Sequence, residues 1–182
     1  MKKLTLIAIA ALAMTFAACG NQDGAKSDAK SDDKTENKTE AQVSYKTYTN
    51  EKYGFSVEVP SGMFQKGEMM GEEGTVFSDI DEGVSFNRID ISGSKNYNDE
   101  AYTPEKVKQE FEEWIEGKDV VYQECGDNYF TFSLEGQYVN EIYRNVYNGT
   151  KVAMVSVCYE PDYEKQLGGE VAKHVLNSIQ FK

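Results

Sequence analysis

All 12 tyrosines and the only tryptophan of this 182-residue chain lie beyond residue 44. That break decides what can fold. A core needs large apolar side chains, and outside its first 18 residues the segment before residue 45 has only Val43. The chain therefore divides into three parts: 1–18, 19–44 and 45–182. The last part, 138 residues long with 13 basic and 25 acidic side chains, is long enough for a single domain with its own core. The whole chain has a formal net charge of −12 and a mean hydropathy of −0.60. Such acidity argues against a nucleic-acid partner, which needs a basic surface. One histidine in the whole chain leaves no multi-histidine metal site and little room for histidine-based catalysis.

Residues 1–18 read as an export signal. Lys2 and Lys3 precede an uncharged run from Leu4 to Ala18, 15 residues long, too short for a membrane span of about 20. Two kinds of cleavage compete. Ordinary signal cleavage needs small residues at −3 and −1, and Phe16 spoils that rule for a cut before Cys19. Ala11-Leu12-Ala13 satisfies the rule but leaves a very short apolar region. The stretch Phe16-Ala17-Ala18-Cys19-Gly20 resembles a bacterial lipobox, with Phe16 where leucine is commonest. The resemblance implies that Cys19 becomes the mature N-terminus, carries a diacylglyceryl thioether, and is the membrane contact. Two or more acyl chains anchor stably where one does not. Loss of Lys2 and Lys3 with the signal takes the side-chain charge from −12 to −14. Gly20, where an aspartate would favour inner-membrane retention in enteric bacteria, points to the outer membrane in a cell with two membranes.

The next stretch is a degenerate four-residue repeat that places Lys26, Lys30, Lys34 and Lys38 at every fourth position. With nothing apolar to pack and Ser, Thr and Asp between the lysines, it reads as a mixed-charge disordered tether over residues 20–44. Its random-coil reach is about 25 to 30 Å.

In the domain, aromatic and β-branched runs split by Gly and Asn predict a strand-rich fold. A first hairpin is expected over Tyr45–Thr49 and Phe55–Val59, where Phe55, Val57 and Val59 alternate with Ser56 and Glu58. A second is expected over Thr75–Ser78 and Val84–Ser92. One helix is signalled by a capping Thr103, Pro104 and Gly117, with Val107, Phe111, Trp114 and Ile115 on one stripe. Four meander strands are expected at Val120–Glu124, Tyr129–Leu134, Gln137–Tyr147 and Lys151–Tyr159. The last is apolar on both faces, which predicts covering layers on each side. A closing helix is expected over about Asp162 to Asn177, weakened at Gly168-Gly169. A short extended segment follows at Ser178–Phe181.

Tyr53-Gly54-Phe55-Ser56-Val57-Glu58-Val59-Pro60-Ser61 resembles the opening motif of PsbP-like and Mog-type domains, and Leu176-Asn177-Ser178-Ile179-Gln180-Phe181 resembles their closing helix and strand. Phe64 departs from the pattern, since many members place a tryptophan soon after the proline. The resemblance implies an α+β fold with an antiparallel sheet sandwiched by helices. The functions it implies diverge: photosystem assembly, binding of a small GTPase, and lipoproteins of no known activity. The metal-binding histidines of some photosynthetic members have no clear counterpart, so no metal site is carried over.

Candidate chemistry is sparse. Cys125 and Cys158 are expected at opposite strand ends of the meander, roughly 20 Å apart, beyond the reach of a disulfide at about 7 Å. Asp79, Asp81, Glu82 and Asp90 lack EF-hand spacing and read as a solvated turn. Glu110 to Glu116 read as the wet face of a helix. His174 has no nucleophile or orienting acid near it in sequence and reads as structural or surface. Tyr97, Tyr102, Tyr138, Tyr143 and Tyr147, with Tyr159, are the candidate partner surface for a protein or glycan, against ordinary tyrosine packing in a sheet. The resulting expectation is a lipid-anchored protein of the cell envelope with a non-enzymatic binding or assembly role and no cofactor. Its contacts are the membrane through Cys19 and an unidentified protein or small ligand. The rival is an envelope-tethered hydrolase using a carboxylate pair. A structural spacer with a flat apolar or tyrosine patch is a third reading.

Overall fold

Strand alternation organises the molecule. The computed structural model describes residues 43–69 and 73–182. The export signal, Cys19 and the tether up to residue 42 lie outside the described residues. The first hairpin joins β1 (Tyr45–Asn50) to β2 (Phe55–Pro60), and β2 buries Phe55, Val57 and Val59 while Ser56 and Glu58 face outward. The strands β3 (Phe64–Met69), β4 (Gly74–Ser78) and β5 (Arg88–Lys95) precede α1 (Pro104–Ile115). The meander follows as β6 (Val120–Cys125), β7 (Tyr129–Glu135), β8 (Asn140–Asn148) and β9 (Lys151–Tyr159). A 3-10 turn over Pro161–Tyr163 leads to α2 (Glu164–Leu167), α3 (Gly169–Asn177) and β10 (Gln180–Phe181).

The expected single sheet is two sheets. One is seven-stranded in the order β3-β4-β5-β9-β8-β7-β6, and the other is three-stranded in the order β1-β2-β10. All pairings are antiparallel. Helices lie on both sides of the large sheet, with the small sheet beside α2 and α3. β9 occupies its centre, which is why Val152–Cys158 is apolar on both faces.

Two cores result. On one face Ile89, Ile91, Val155 and Val157 meet Phe55, Val57 and Val59 of the hairpin and Ala172, Val175 and Leu176 of α3. On the other face Phe130, Phe132, Tyr147 and Val152 meet Val107 and Phe111 of α1, with Trp114 against them. Gly93 permits the first hairpin to sit down. A Cβ there would lie 2.5 Å from the Tyr53 ring and 2.8 Å from Phe55.

α1 starts as its sequence signals. Thr103 caps by accepting from the Lys106 N–H at 3.3 Å, and Pro104 takes the first turn. The closing helix breaks at the expected glycines: Gly168 is extended and Gly169 sits at φ +48°.

Three boundaries differ from expectation. β3 gives no periodic signal, because a bulge and Gly67 at φ +107° interrupt it, yet it pairs along the edge of β4. Val84–Asn87 is loop and not strand. There Ser85 Oγ and Asn87 Nδ2 donate to Asp79, and Asn87 also donates to Glu160, so side chains replace the ladder. Residues 137–139 form a turn closed by the Gly136 N–H donating to the Val139 carbonyl at 3.1 Å.

Candidate functional site

A groove of about 650 Å³ lies between the outer face of the small sheet and α3. Register builds its first wall. Thr47 pairs with Glu58, and Gln180 pairs with Ser56, so the outward residues of β1, β2 and β10 stand in one patch. The face of α3 that carries Glu170, Lys173, His174 and Asn177 makes the second wall. His174 falls one position before Val175 of the buried stripe, so its ring leans out of the core toward the sheet.

The walls touch at one constellation. His174 Nε2 and Glu58 Oε2 are 2.6 Å apart, and the Tyr45 ring stacks on the imidazole at 3.8 Å between centroids. Ser178 Oγ accepts from the Glu58 N–H at 2.8 Å and donates to the Val175 carbonyl at 2.6 Å, fastening the helix end to β2. Burial, then the Glu58 charge, raises the Tyr45 hydroxyl above its ordinary pKa. Glu58 and His174 are nearly half exposed, at 46% and 42%. The arrangement is an orienting contact in water. Among the described residues no serine hydroxyl or cysteine thiol hydrogen-bonds His174. Glu170 shares the open groove with Glu58, and the two carboxylates are 91% and 46% exposed. The sequence hides this trio because His174 stands 116 residues from Glu58, and the outward position of Glu58 in an alternating strand is the available signal.

A second hollow of about 450 Å³ lies on the other flank of α3, over β6, β7 and β8. Its floor is a polar row in which Arg144 stacks over Tyr129 at 4.2 Å and donates to Thr131 at 2.8 Å. Glu124 accepts from Tyr129 at 2.5 Å and from Tyr122 at 2.9 Å, and these bonds hold its carboxyl below the usual range.

The five candidate surface tyrosines do not form one surface. Tyr147 is 3% exposed, within the core under α1. Its hydroxyl donates to Glu110 at 2.7 Å, and burial followed by that bond pushes its pKa far up. Tyr102 and Tyr143 pack against the same core. Packing has claimed these three residues: Tyr143 and Tyr147 face the helix from β8, and Tyr102 packs on Tyr147 from the segment before α1. Tyr97 and Tyr138 are exposed, but at opposite ends of the large sheet, with the nine residues of β9 between. Other exposed apolar residues are Phe64 at the start of β3 and Ile80, Val84 and Phe86 of the loop between β4 and β5. The Asp79–Asn87–Glu160 network holds that loop in place.

Cys125 is exposed and Cys158 buried, and both are free thiols. Burial, then Asp90, pushes the Cys158 thiol up to about 12. Among the described residues no three His, Cys, Asp or Glu side chains are placed to hold a metal ion, and no helix is long and apolar enough to cross a membrane.

No protein-family model matches the chain, and no curated protein does. Solved structures do. The solution structure of cyanobacterial PsbP (CyanoP) from Synechocystis superposes with a TM-score of 0.54 at 17% identity, over 79% of this chain and 96% of that one. A crystal structure from Bacteroides thetaiotaomicron gives 0.49 at 18% identity, over 75% of this chain and 48% of the other, so this chain spans about half of it. The Ran-binding protein Mog1p of Saccharomyces cerevisiae gives 0.47 at 11% identity, over 77% and 96%. The described domain therefore has the PsbP-like fold, which the cyanobacterial structure carries.

Proposed function

We propose that this chain is a lipid-anchored protein of the bacterial cell envelope whose folded domain binds a protein or small ligand and performs no chemistry. In a cell with two membranes, it sits on the outer membrane or on a periplasmic face. The observation that carries the binding role is the groove between the small sheet and α3. It is wide, polar and open, and its one acid–imidazole contact joins two walls without a nucleophile beside it. Such a site recognises and does not transform. The exposed loop residues Val84 and Phe86 add a rigidly held apolar contact for a protein partner. The lipobox-like run ending at Cys19 supports the anchor, and the tether gives the domain reach above the headgroups. Neither solved PsbP-like relative nor any other lends this chain its partner.

The test is a crosslinking capture from native membranes, comparing wild type with Cys19→Ala. The proposal expects wild type in the membrane fraction and Cys19→Ala in the soluble one. It also expects capture of a defined partner that is lost when Glu58→Lys reverses the charge in the groove. Cys19→Ala remaining in the membrane overturns the anchor. Hydrolysis of an envelope polysaccharide that stops in Glu58→Gln overturns the non-enzymatic role in favour of the carboxylate-pair hydrolase.

A further inference from the structure

The large sheet carries another cavity on the face away from the groove, beside the end of α1. It holds about 200 Å³. Register sets its floor: Asp90 pairs with Ser156 and Ser156 with Tyr143, so β5, β9 and β8 contribute one row on the α1 side. Arg88 and Ser92 flank Asp90 on that face of β5. Trp114, half-buried at the end of the helix, stands over the row with its ring 6.1 Å from that of Tyr143.

The charges of this floor are already spent. Arg88 Nε donates to Asp90 Oδ2 at 3.0 Å, and Ser156 Oγ donates to the same oxygen at 3.4 Å. The neighbouring Glu141 accepts the Tyr143 hydroxyl. An ionic ligand finds no unpaired charge to meet. A purely apolar ligand would keep water from the lone pairs and N–H groups that these bonds leave over. Asn145, only 4% exposed, adds an amide to the lining. What satisfies such a site is a small neutral molecule with many hydroxyls and one C–H face to lay against an indole. We propose that this cavity binds a neutral sugar ring, with Asp90, Arg88 and Ser92 meeting hydroxyls and Trp114 packing on the ring's apolar face. A carboxylate that accepts beside a guanidinium that donates suits adjacent hydroxyls, and an aromatic wall suits the C–H face. The site stands apart from the groove, so it is independent of the function proposed above.

The chain's single tryptophan is the cavity's own reporter. Full-length protein titrated with glucose, galactose and N-acetylglucosamine is expected to give a saturable change in tryptophan emission with at least one, with a millimolar Kd typical of so small a ligand. Asp90→Asn, which keeps the side-chain shape, is expected to weaken that binding by about ten-fold. Ser92→Tyr, which fills the floor, is expected to abolish it. Glu58→Ala, in the groove, is expected to leave it unchanged, with thermal melts verifying that each variant is folded. The proposal is overturned if none of the three sugars gives a saturable response and saturation-transfer NMR shows no contact. It is also overturned if the response survives Ser92→Tyr in a folded protein. Saturable binding of adenosine in place of the sugars would assign the cavity to a flat base and overturn the sugar class.

Discussion

The two faces of the large sheet are made from alternate residues of the same strands, yet they are covered in different ways. On one face, β-branched and aliphatic side chains of β5 and β9 meet a second sheet and the closing helices. On the other, a single helix packs on rings: Phe130, Phe132 and Tyr147 against Phe111 and Trp114. A lone 12-residue helix cannot span seven strands, so part of its face stays open over β5 and β9. There polar residues such as Arg88, Asp90 and Ser156 replace the rings. On the opposite face the gap falls over β6 and β7, and again a polar row fills it. The lesson is that the covering layer, not the strand, decides where a sheet presents chemistry.

This contrast can be broken by titration. Four groups of the α1 face, Tyr102, Tyr143, Tyr147 and Cys158, have pKa values raised mainly by burial. In the unfolded chain they lose protons at ordinary values, 9.0 for the thiol and 10.0 for tyrosine, while the folded form retains them. The unfolded state then binds fewer protons, and stability falls as pH rises. The contribution of these groups should be flat up to about pH 9 and then decline toward pH 12, with Tyr159 of the other core, also pushed up to about 12, contributing to the same fall. Urea melts across that range check it. The helix is expected to loosen first, seen as a change in Trp114 emission ahead of the far-ultraviolet circular dichroism.

Phe130→Ala removes the centre of the ring-packed core and should cost about 3–5 kcal/mol. Backbone NMR shifts are expected to move through α1 and β7 while Glu58 and His174 hold theirs. A shift of equal size in both regions would show that the two cores act as one. Gly93→Ala probes the opposite side. Its Cβ meets the Tyr53 and Phe55 rings, so overpacking should cost about 1–3 kcal/mol by urea melt. Tyr147→Phe is gentler. It deletes the bond from β8 to Glu110 of α1, and a loss of about 1 kcal/mol is expected.

Much of the fold was legible from local signals. The Thr103–Pro104 cap, the Phe111–Trp114 stripe, the Asn148-Gly149 turn and the alternation of Phe55, Val57 and Val59 each report structure within a few residues of themselves. The division into two sheets was not legible, because which strands share hydrogen bonds is decided by tertiary pairing. β3 was missed for the same reason, since its bulge erases the period of two. The groove was less legible still. Tyr45, Glu58 and His174 come from three elements and none looks unusual alone. The tyrosines mislead because a strand residue facing a helix and one facing water have the same sequence period. Tyr147 could be sorted only once α1 was placed over it.

The central claim is that the groove between the small sheet and α3 is where this domain meets its partner. The most direct measurement is site-specific photocrosslinking in native membranes, with the photoreactive residue at Thr47 in the groove and, as comparison, at Gln109 on the outer face of α1. The account predicts one defined adduct from Thr47 and none from Gln109. Adducts from Gln109 with none from Thr47 would contradict it, and would move the working surface to the other side of the sheet.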